Sequence, residues 1–341
     1  MNAGKGCLIG CLGMLAAVGL VVTGLVALFM IACIALGAGL VEEETAGCNC
    51  SERDKIQPKV WVSGDGDEDD PVVLQVKISG VIYEAQEDLF GGEKSSAVSA
   101  LRKIRAATRD EEVQGLYLVI DSPGGEVTLS DVIADAVQRF KAADTNRFVL
   151  VEMGSLCCSG GYYIAAGADY IIAHPTTVTG SIGVLMSSIN AAELAKKIGI
   201  ESVVIATGAN KAMLDPLKPV DQEHVKIFRK AVDADYERFL SVVAKGRGLP
   251  VDEVRRIADG RILCAAEARQ LKLVDAIGYS EEAEKQLAKM ANADYIRIVR
   301  YKDELTWRSL FDESFLSSKG MSRVLRGVST GGGAGRPNFL Y

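Results

Sequence analysis

Small and hydroxyl-bearing residues are concentrated in three short segments between positions 121 and 184. The segments are 122–125 (SPGG), 158–163 (CSGGYY) and 179–184 (TGSIGV), and each follows or borders an apolar run. Paired glycines between a strand and a helix let the backbone turn sharply and approach a ligand. The free amide groups at the start of a helix also attract anions. Segment 122–125 is therefore either an ordinary helix-initiating turn or a site that stabilises a developing oxyanion.

Ser159 is the candidate nucleophile. It lies between a strand that ends near Met153 and the apolar run 162–168. A serine at the start of a buried helix is usually an N-cap. The same position also exposes its hydroxyl beside free backbone amides, as in a nucleophile elbow, although 158–160 lacks the G-x-S-x-G pattern.

A serine nucleophile needs a base, and histidine is scarce in this chain. The two histidines are His174, at a strand end before Pro175, and His224, in a charged amphipathic pattern typical of a surface helix. A lysine can serve instead when burial lowers its pKa, and Ser-Lys pairs are a known variant of the catalytic triad. Composition does not single out one lysine.

The three segments, in this order, resemble the signal peptide peptidase A family of Ser-Lys serine peptidases, which is related in fold to the Clp protease and crotonase group. The family has a lysine after a glycine-bearing turn beyond the next strand, and here Lys211 occupies that place in 207–211 (TGANK). Segments 245–248 (KGRG), 258–261 (ADGR) and 271–278 (LKLVDAIG) also resemble the family. The resemblance covers roughly residues 70–290.

This resemblance implies a role for each matching residue. Ser159 attacks the peptide carbonyl, Lys211 is the general base, and Ser181 orients the lysine. Gly125 and Gly160 supply the amides of the oxyanion hole. Without the resemblance, Ser181 reads as a turn serine and Lys211 as a surface lysine.

Two positions depart from the family pattern. The chain has Cys157 and Cys158 where the family often has alanines before the nucleophile, and it has Ala212 where the family often has an aspartate after the lysine. Small apolar thiols replace alanine in a core at modest cost, so we expect neither change to remove the chemistry.

Alternating strand and helix patterns predict an α/β domain with a parallel sheet. Runs 72–78, 116–120 and 148–153 are short, apolar and rich in β-branched residues, and a helical pattern spans 129–140. Such runs suit strands that are buried on both faces. Helical patterns follow at 221–246, after Pro250 and at 265–271. The resemblance refines this to a Clp protease/crotonase-like repeated ββα domain with C-terminal helices.

The N-terminal segment predicts a membrane anchor. Residues 6–41 carry no charge. This uncharged segment is longer than the roughly 20 residues that a helix needs to cross a bilayer and longer than the ~7–15-residue apolar region of a cleaved signal peptide. Lys5 precedes the span and three glutamates at 42–44 follow it, so we expect a cytoplasmic N-terminus and a peptidase domain outside. The predicted regions are an anchor at 1–41, an acidic linker at 42–70, a peptidase domain at 71–300 and a C-terminal segment with a Gly-rich tail at 301–341.

The amino-acid composition indicates which classes of ligand and partner the protein can bind. The net charge is −7 and no Lys/Arg-rich tract is present, which predicts no nucleic-acid binding. With only two histidines we expect no metal, and we predict no cofactor. The expected partners are hydrophobic peptides, the membrane and, from the resemblance, identical subunits in a ring with sites at protomer boundaries. A crotonase-like acyl-CoA enzyme and a non-catalytic membrane scaffold are the competing interpretations.

Overall fold

The computed structural model describes residues 59–64, 66–84 and 95–302. The predicted membrane segment and the Gly-rich tail lie outside these residues. Within the described ranges, no helix combines the length and the apolar character needed to span a bilayer.

The described chain alternates strands and helices, as the apolar runs predict. The strands are β1 (Lys59–Ser63), β2 (Val72–Ser79), β3 (Val113–Ser122), β4 (Phe148–Cys158), β5 (Tyr170–Ala173), β6 (Val178–Gly180), β7 (Ile262–Cys264), β8 (Ala276–Ile277) and β9 (Arg297–Tyr301). The helices are α1 (Ser96–Arg109), α2 (Val127–Ala143), α3 (Gly160–Ala165), α4 (Ala192–Ile198), α5 (Gln222–Arg247), α6 (Val251–Ile257), α7 (Ala265–Gln270) and α8 (Ser280–Met290).

The strands form one sheet in the order β1-β9-β2-β3-β4-β5-β8, with β6 paired to β4 and β7 paired to β6. The pairs β2-β3, β3-β4, β4-β5 and β4-β6 are parallel, whereas β1-β9 and β6-β7 are antiparallel. This mixed, mainly parallel sheet confirms the predicted α/β class.

Both faces of the central strands are buried, which explains their continuous apolar character. One face packs against α1, α2, α3 and α5 through side chains such as Ile104, Ile133, Phe140 and Phe239. The other face packs against α8, where Leu287 contacts the apolar surface of the strands. At about 25 cal/mol per Å² of apolar surface, this two-sided burial is the main stabilising contribution to the domain.

One strand lies where the sequence predicts an acidic linker. Residues 59–63 form β1 and pair with β9, and Lys59 makes an ion pair of 3.0 Å with the buried Asp110. Aromatic and β-branched residues in 59–62 suit a strand, but its partner β9 lies more than 230 residues further along the chain. The acidic residues 67–70 follow β1 and lead into β2.

The longest strand, β4, positions the candidate site. Its first half pairs with β5, whereas its last residues, 156–158, pair with β6. The strand therefore continues past the neighbouring β5 and ends directly at Ser159. This switch of partners places the SGG segment at the carboxyl edge of the sheet, where open α/β sheets commonly bind ligands.

Candidate active site

Ser159 occupies a strained turn between β4 and α3. Its φ of 49° and ψ of −119° are unusual for a residue with a side chain. Two backbone hydrogen bonds hold this conformation: the Ser159 amide donates to Gly180 O at 2.9 Å, and the Tyr163 amide donates to Ser159 O at 2.8 Å. Strained backbone of this kind occurs often at functional sites.

The Ser159 hydroxyl is available for chemistry. Its Oγ makes no hydrogen bond with any described residue, and its side chain does not cap α3. The alternative interpretation of Ser159, as a side-chain N-cap of the helix, is therefore wrong. The geometry is that of a nucleophile elbow without its usual sequence pattern.

The glycine turn 122–125 packs directly against Ser159. A Cβ built on Gly124 would lie 2.8 Å from both the Gly160 nitrogen and the Ser159 Cβ, so only glycine allows this approach. The Ser122 hydroxyl accepts a hydrogen bond of 3.1 Å from the Gly124 amide and stabilises the turn. The first two small-residue segments thus meet in space, as expected for parts of one site.

The amides of Gly125 and Gly160 lie beside the nucleophile. A Cβ on Gly160 would lie 3.4 Å from the Gly125 nitrogen, which shows how close the two glycines are. The Gly160 amide opens α3 and has no partner within that helix, and the Gly125 amide donates to no described residue. Two free N–H groups next to a serine hydroxyl can stabilise an oxyanion.

Ser181 lies one residue beyond the backbone partner of Ser159. Gly180 accepts the hydrogen bond from the Ser159 amide, and the Ser181 amide donates to Arg261 O at 2.7 Å. Ser181 also has a positive φ of 51°. The antiparallel pairing of β6 with β7 therefore places Ser181 at the edge of the site.

Lys211 makes no side-chain hydrogen bond or ion pair within the part of the chain that the structure describes. It lies in an exposed turn, where its amide donates to Gly208 O at 3.3 Å. The structure therefore brings together four of the five predicted site residues, and no hydrogen bond joins the lysine to them.

Neither histidine makes a hydrogen bond with Ser159. His174 Nε2 lies 2.9 Å from Glu152 Oε1. His174 directly follows β5, and because Ala173 pairs with Met153, His174 lies beside Gly154 of β4. Gly154 lies five residues before Ser159 along β4, a distance on the order of 16 Å at 3.3 Å per residue. His224 is half-buried on α5 beside an apolar groove rather than at the surface as expected. Within the described ranges, no group of three or more His, Cys, Asp or Glu side chains is arranged to hold a metal ion.

The two cysteines before the nucleophile are buried thiols. Burial raises the pKa of Cys157 well above its ordinary range, and the neighbouring Cys158 and Asp121 raise it further. Burial also raises the pKa of Cys158, whose Sγ lies 3.5 Å from Val178 O. Because a protonated thiol is a poor nucleophile, both residues act as the small core side chains that the sequence predicts.

A small cavity adjoins Ser159 and leads to a larger groove. The cavity is lined by Val127, Tyr163, Phe239 and the glycines of the site. The groove has a volume of about 620 Å³ and is lined mainly by apolar residues of segments 184–190 and 212–221 and of α5. Val184 lines both, so the two spaces adjoin each other.

Two further residues at the cavity are not apparent from the sequence. Ser130 on α2 is buried, and its Oγ would overlap a Cβ at position 160, so its hydroxyl packs against Gly160. Asp235 on α5 also lines the cavity. Both lie on amphipathic helices where serine and aspartate are common, and only the fold shows that they face the nucleophile.

Similarity to known proteins agrees with this geometry. Residues 141–294 match Peptidase family S49. The chain is 35% identical over 248 residues to a protein of Enterococcus faecium named signal peptide peptidase SppA, an alignment that covers 72% of this chain and 71% of that protein. It is 32% identical over 250 residues to a protein of Methanocaldococcus jannaschii named as a protease, covering 72% of this chain and 79% of that protein.

A longer relative is also similar. Protease 4 of Haemophilus influenzae is 33% identical over 223 residues, which is 64% of this chain but 35% of that protein. The matched family is a peptidase family and these relatives carry peptidase or protease names, so the predicted resemblance is confirmed. The chain belongs to peptidase family S49, with the signal peptide peptidase A proteins, and is a serine peptidase.

Proposed function

We propose that this protein is a membrane-anchored serine endopeptidase that cleaves hydrophobic peptides, with signal peptides left after their release as the natural substrates. The observation that carries the proposal is the strained Ser159 turn with the Gly125 and Gly160 amides beside it. The apolar groove of about 620 Å³ next to the site favours apolar peptides. The uncharged segment 6–41 supplies the anchor and keeps the peptidase domain on the outer side of the membrane.

The proposed mechanism uses a Ser159–Lys211 dyad. Neutral Lys211 Nζ accepts the hydroxyl proton as Ser159 Oγ attacks the peptide carbonyl. The Gly125 and Gly160 amides stabilise the oxyanion, and each is expected to contribute on the order of 10²-fold to 10³-fold in rate. The lysine then protonates the leaving amine, and water hydrolyses the acyl-enzyme by the reverse proton transfers. Ser181 orients the lysine.

Lys211 is exposed and makes no hydrogen bond with Ser159 within one chain, which supports a site at the boundary between protomers. We propose a ring in which each serine faces the lysine of a neighbouring subunit. Exposed apolar side chains favour such contacts: Leu185, Ile189 and Ile205 are 83%, 85% and 98% exposed. Apolar side chains exposed over one segment commonly mark an interaction surface. We also propose the Clp protease/crotonase-like ββα arrangement for the domain.

The direct test is peptide cleavage by the full-length protein in detergent, alongside Ser159→Ala and Lys211→Ala. We expect the wild type to cleave hydrophobic peptides and both variants to lose at least about 10³-fold in kcat. Circular dichroism and sedimentation should show the same fold and assembly for all three. Wild-type activity in a folded Ser159→Ala variant would contradict the assignment of Ser159 as nucleophile. Wild-type activity in a folded Lys211→Ala variant would contradict the assignment of Lys211 as general base.

A further inference from the structure

The two adjacent tyrosines of α3 anchor that helix to different elements. The Tyr162 hydroxyl donates to Leu273 O at 2.9 Å, and the Tyr163 hydroxyl donates to Asp131 Oδ1 on α2 at 2.5 Å. Both tyrosine side chains are buried. The Tyr163 amide also donates to Ser159 O at 2.8 Å. The contact between Tyr163 and Asp131 therefore fixes the helical turn that directly follows the nucleophile.

The same carboxylate also binds α5. Arg238 Nε donates to Asp131 Oδ1 at 2.8 Å and Arg238 Nη2 donates to Asp131 Oδ2 at 2.9 Å, a bidentate geometry that fixes orientation as well as distance. The next residue of α5, Phe239, packs its ring on the Tyr163 ring with 5.0 Å between centroids. Burial and the hydrogen bond to Asp131 both raise the pKa of Tyr163, which keeps its hydroxyl protonated as a donor. One side chain of α2 thus joins α3 to α5.

Arg238 lies where α5 leaves the core of the domain. The buried residues of this helix all follow Arg238 and are Phe239, Leu240, Val243 and Ala244. The preceding residues, 222–237, are exposed or half-buried, and several of them line the apolar groove. On its other side this part of α5 is held by Tyr236, whose hydroxyl donates to Ala258 O at 2.7 Å. The contact of Arg238 with Asp131 therefore sets the direction in which the groove wall projects from the core.

We propose that Asp131 is a positioning residue of the peptidase, which holds the groove wall and the nucleophile turn in one fixed arrangement. It acts on the chemical step through Tyr163 and on peptide binding through Arg238. The side chains of Arg238 and Asp131 are 60% and 30% exposed, and a pair this exposed contributes little to folding stability. Its role is therefore geometric, since small displacements at a reacting centre are costly. This inference rests on the proposed function of Ser159 as the nucleophile and of the groove as the peptide site.

The test measures kcat and KM of full-length variants on an apolar peptide long enough to span the groove. Tyr163→Phe should lower kcat about tenfold with little change in KM, and Arg238→Gln should raise KM about tenfold with little change in kcat. Each change is the loss expected for one charge-assisted hydrogen bond. Asp131→Asn should show both effects. Asp135→Asn, which breaks an exposed pair with Arg139 one turn further along α2, is the matched control and should keep both wild-type constants.

Peptide binding provides a readout that does not depend on turnover. In a Ser159→Ala background, the same peptide should bind about tenfold more weakly after Arg238→Gln and equally after Tyr163→Phe. If Asp131→Asn does not fold, these two variants still decide the proposal.

Wild-type kcat and KM in folded Asp131→Asn, or the same change in both constants for Tyr163→Phe and Arg238→Gln, would overturn the positioning role. A lower unfolding midpoint with unchanged constants would reduce Asp131 to a structural residue and overturn it equally. Full activity of Ser159→Ala would instead overturn the proposed function, and the inference with it.

Discussion

At the scale of single residues, the site depends on close packing that only glycine allows. The Gly160 amide lies where it does because Ser130 Oγ packs against the glycine and the 122–125 turn presses on the same backbone. A side chain at position 160 must displace Ser130 or move the amide. Since an oxyanion hole requires donors within about 3.1 Å of the developing charge, a small shift is costly.

Gly160→Ala should therefore lower kcat by on the order of 100-fold, with little change in KM, because the displaced amide acts in the transition state. The double variant Gly160→Ala/Ser130→Ala removes the overlapping hydroxyl and should recover most of the loss. Steady-state kinetics of the two single variants and the double variant measure this coupling. A double variant as impaired as Gly160→Ala alone would contradict the packing argument.

The buried thiols beside the nucleophile should be unreactive. Burial raises the pKa values of Cys157 and Cys158, so both stay protonated at pH values where an ordinary thiol begins to ionise. Brief treatment of the native protein with iodoacetamide at pH 8, followed by peptide mass spectrometry, should modify the exposed Cys264 and spare these two. Rapid modification of Cys158 with loss of activity would show an accessible thiolate, contrary to this account.

At the scale of elements, α8 is tied to the sheet by a buried carboxylate. Glu152 on β4 accepts hydrogen bonds from Tyr117 and Ser280 and lies 2.9 Å from His174 Nε2. Ser280 is the first residue of α8, so the cluster fixes the start of that helix against the strands. Burial and the hydrogen bond to Glu152 both raise the pKa of Tyr117, which keeps its hydroxyl protonated as a donor.

Glu152→Ala should lower the free energy of unfolding by about 3 kcal/mol, because it leaves several buried polar groups without a partner. Glu281→Ala, an exposed change in the first turn of α8, should cost about 0.5 kcal/mol or less. Urea denaturation followed by circular dichroism compares the two. Equal midpoints for both variants would mean that the cluster does not hold the helix.

The main elements could be predicted because their signals are local. β2, β3 and the first part of β4 are uninterrupted apolar runs, and α5 begins where Asp221 accepts a hydrogen bond of 2.8 Å from the Glu223 amide. The short strands β7 and β8 have three and two residues, too few for any periodicity. The pairing of β1 with β9 and the burial of Glu152 depend on contacts distant in sequence, which no local pattern records.

At the scale of the whole molecule, the site residues divide into two groups. The strand ends and turns that carry Ser159, Gly125, Gly160 and Ser181 meet at one edge of the sheet, as the order of the three segments predicts. Lys211 lies in an exposed turn without a hydrogen bond to these residues, and the sequence indicates its role only through the family resemblance. The lack of a partner for Lys211 within one chain is explained if the catalytic unit is a pair of neighbouring chains, because a symmetric ring repeats one contact at every boundary.

Co-expression of Ser159→Ala and Lys211→Ala full-length chains tests this central claim most directly. In the proposed ring, each active site takes Ser159 from one chain and Lys211 from its neighbour. If the two variant chains mix at random in equal amounts, about one quarter of the boundaries have both an intact Ser159 and an intact Lys211. The mixed assembly should therefore recover about one quarter of the wild-type peptidase activity per chain, whereas each variant alone stays inactive. Mixed rings of normal size with no recovered activity would contradict a dyad shared between protomers.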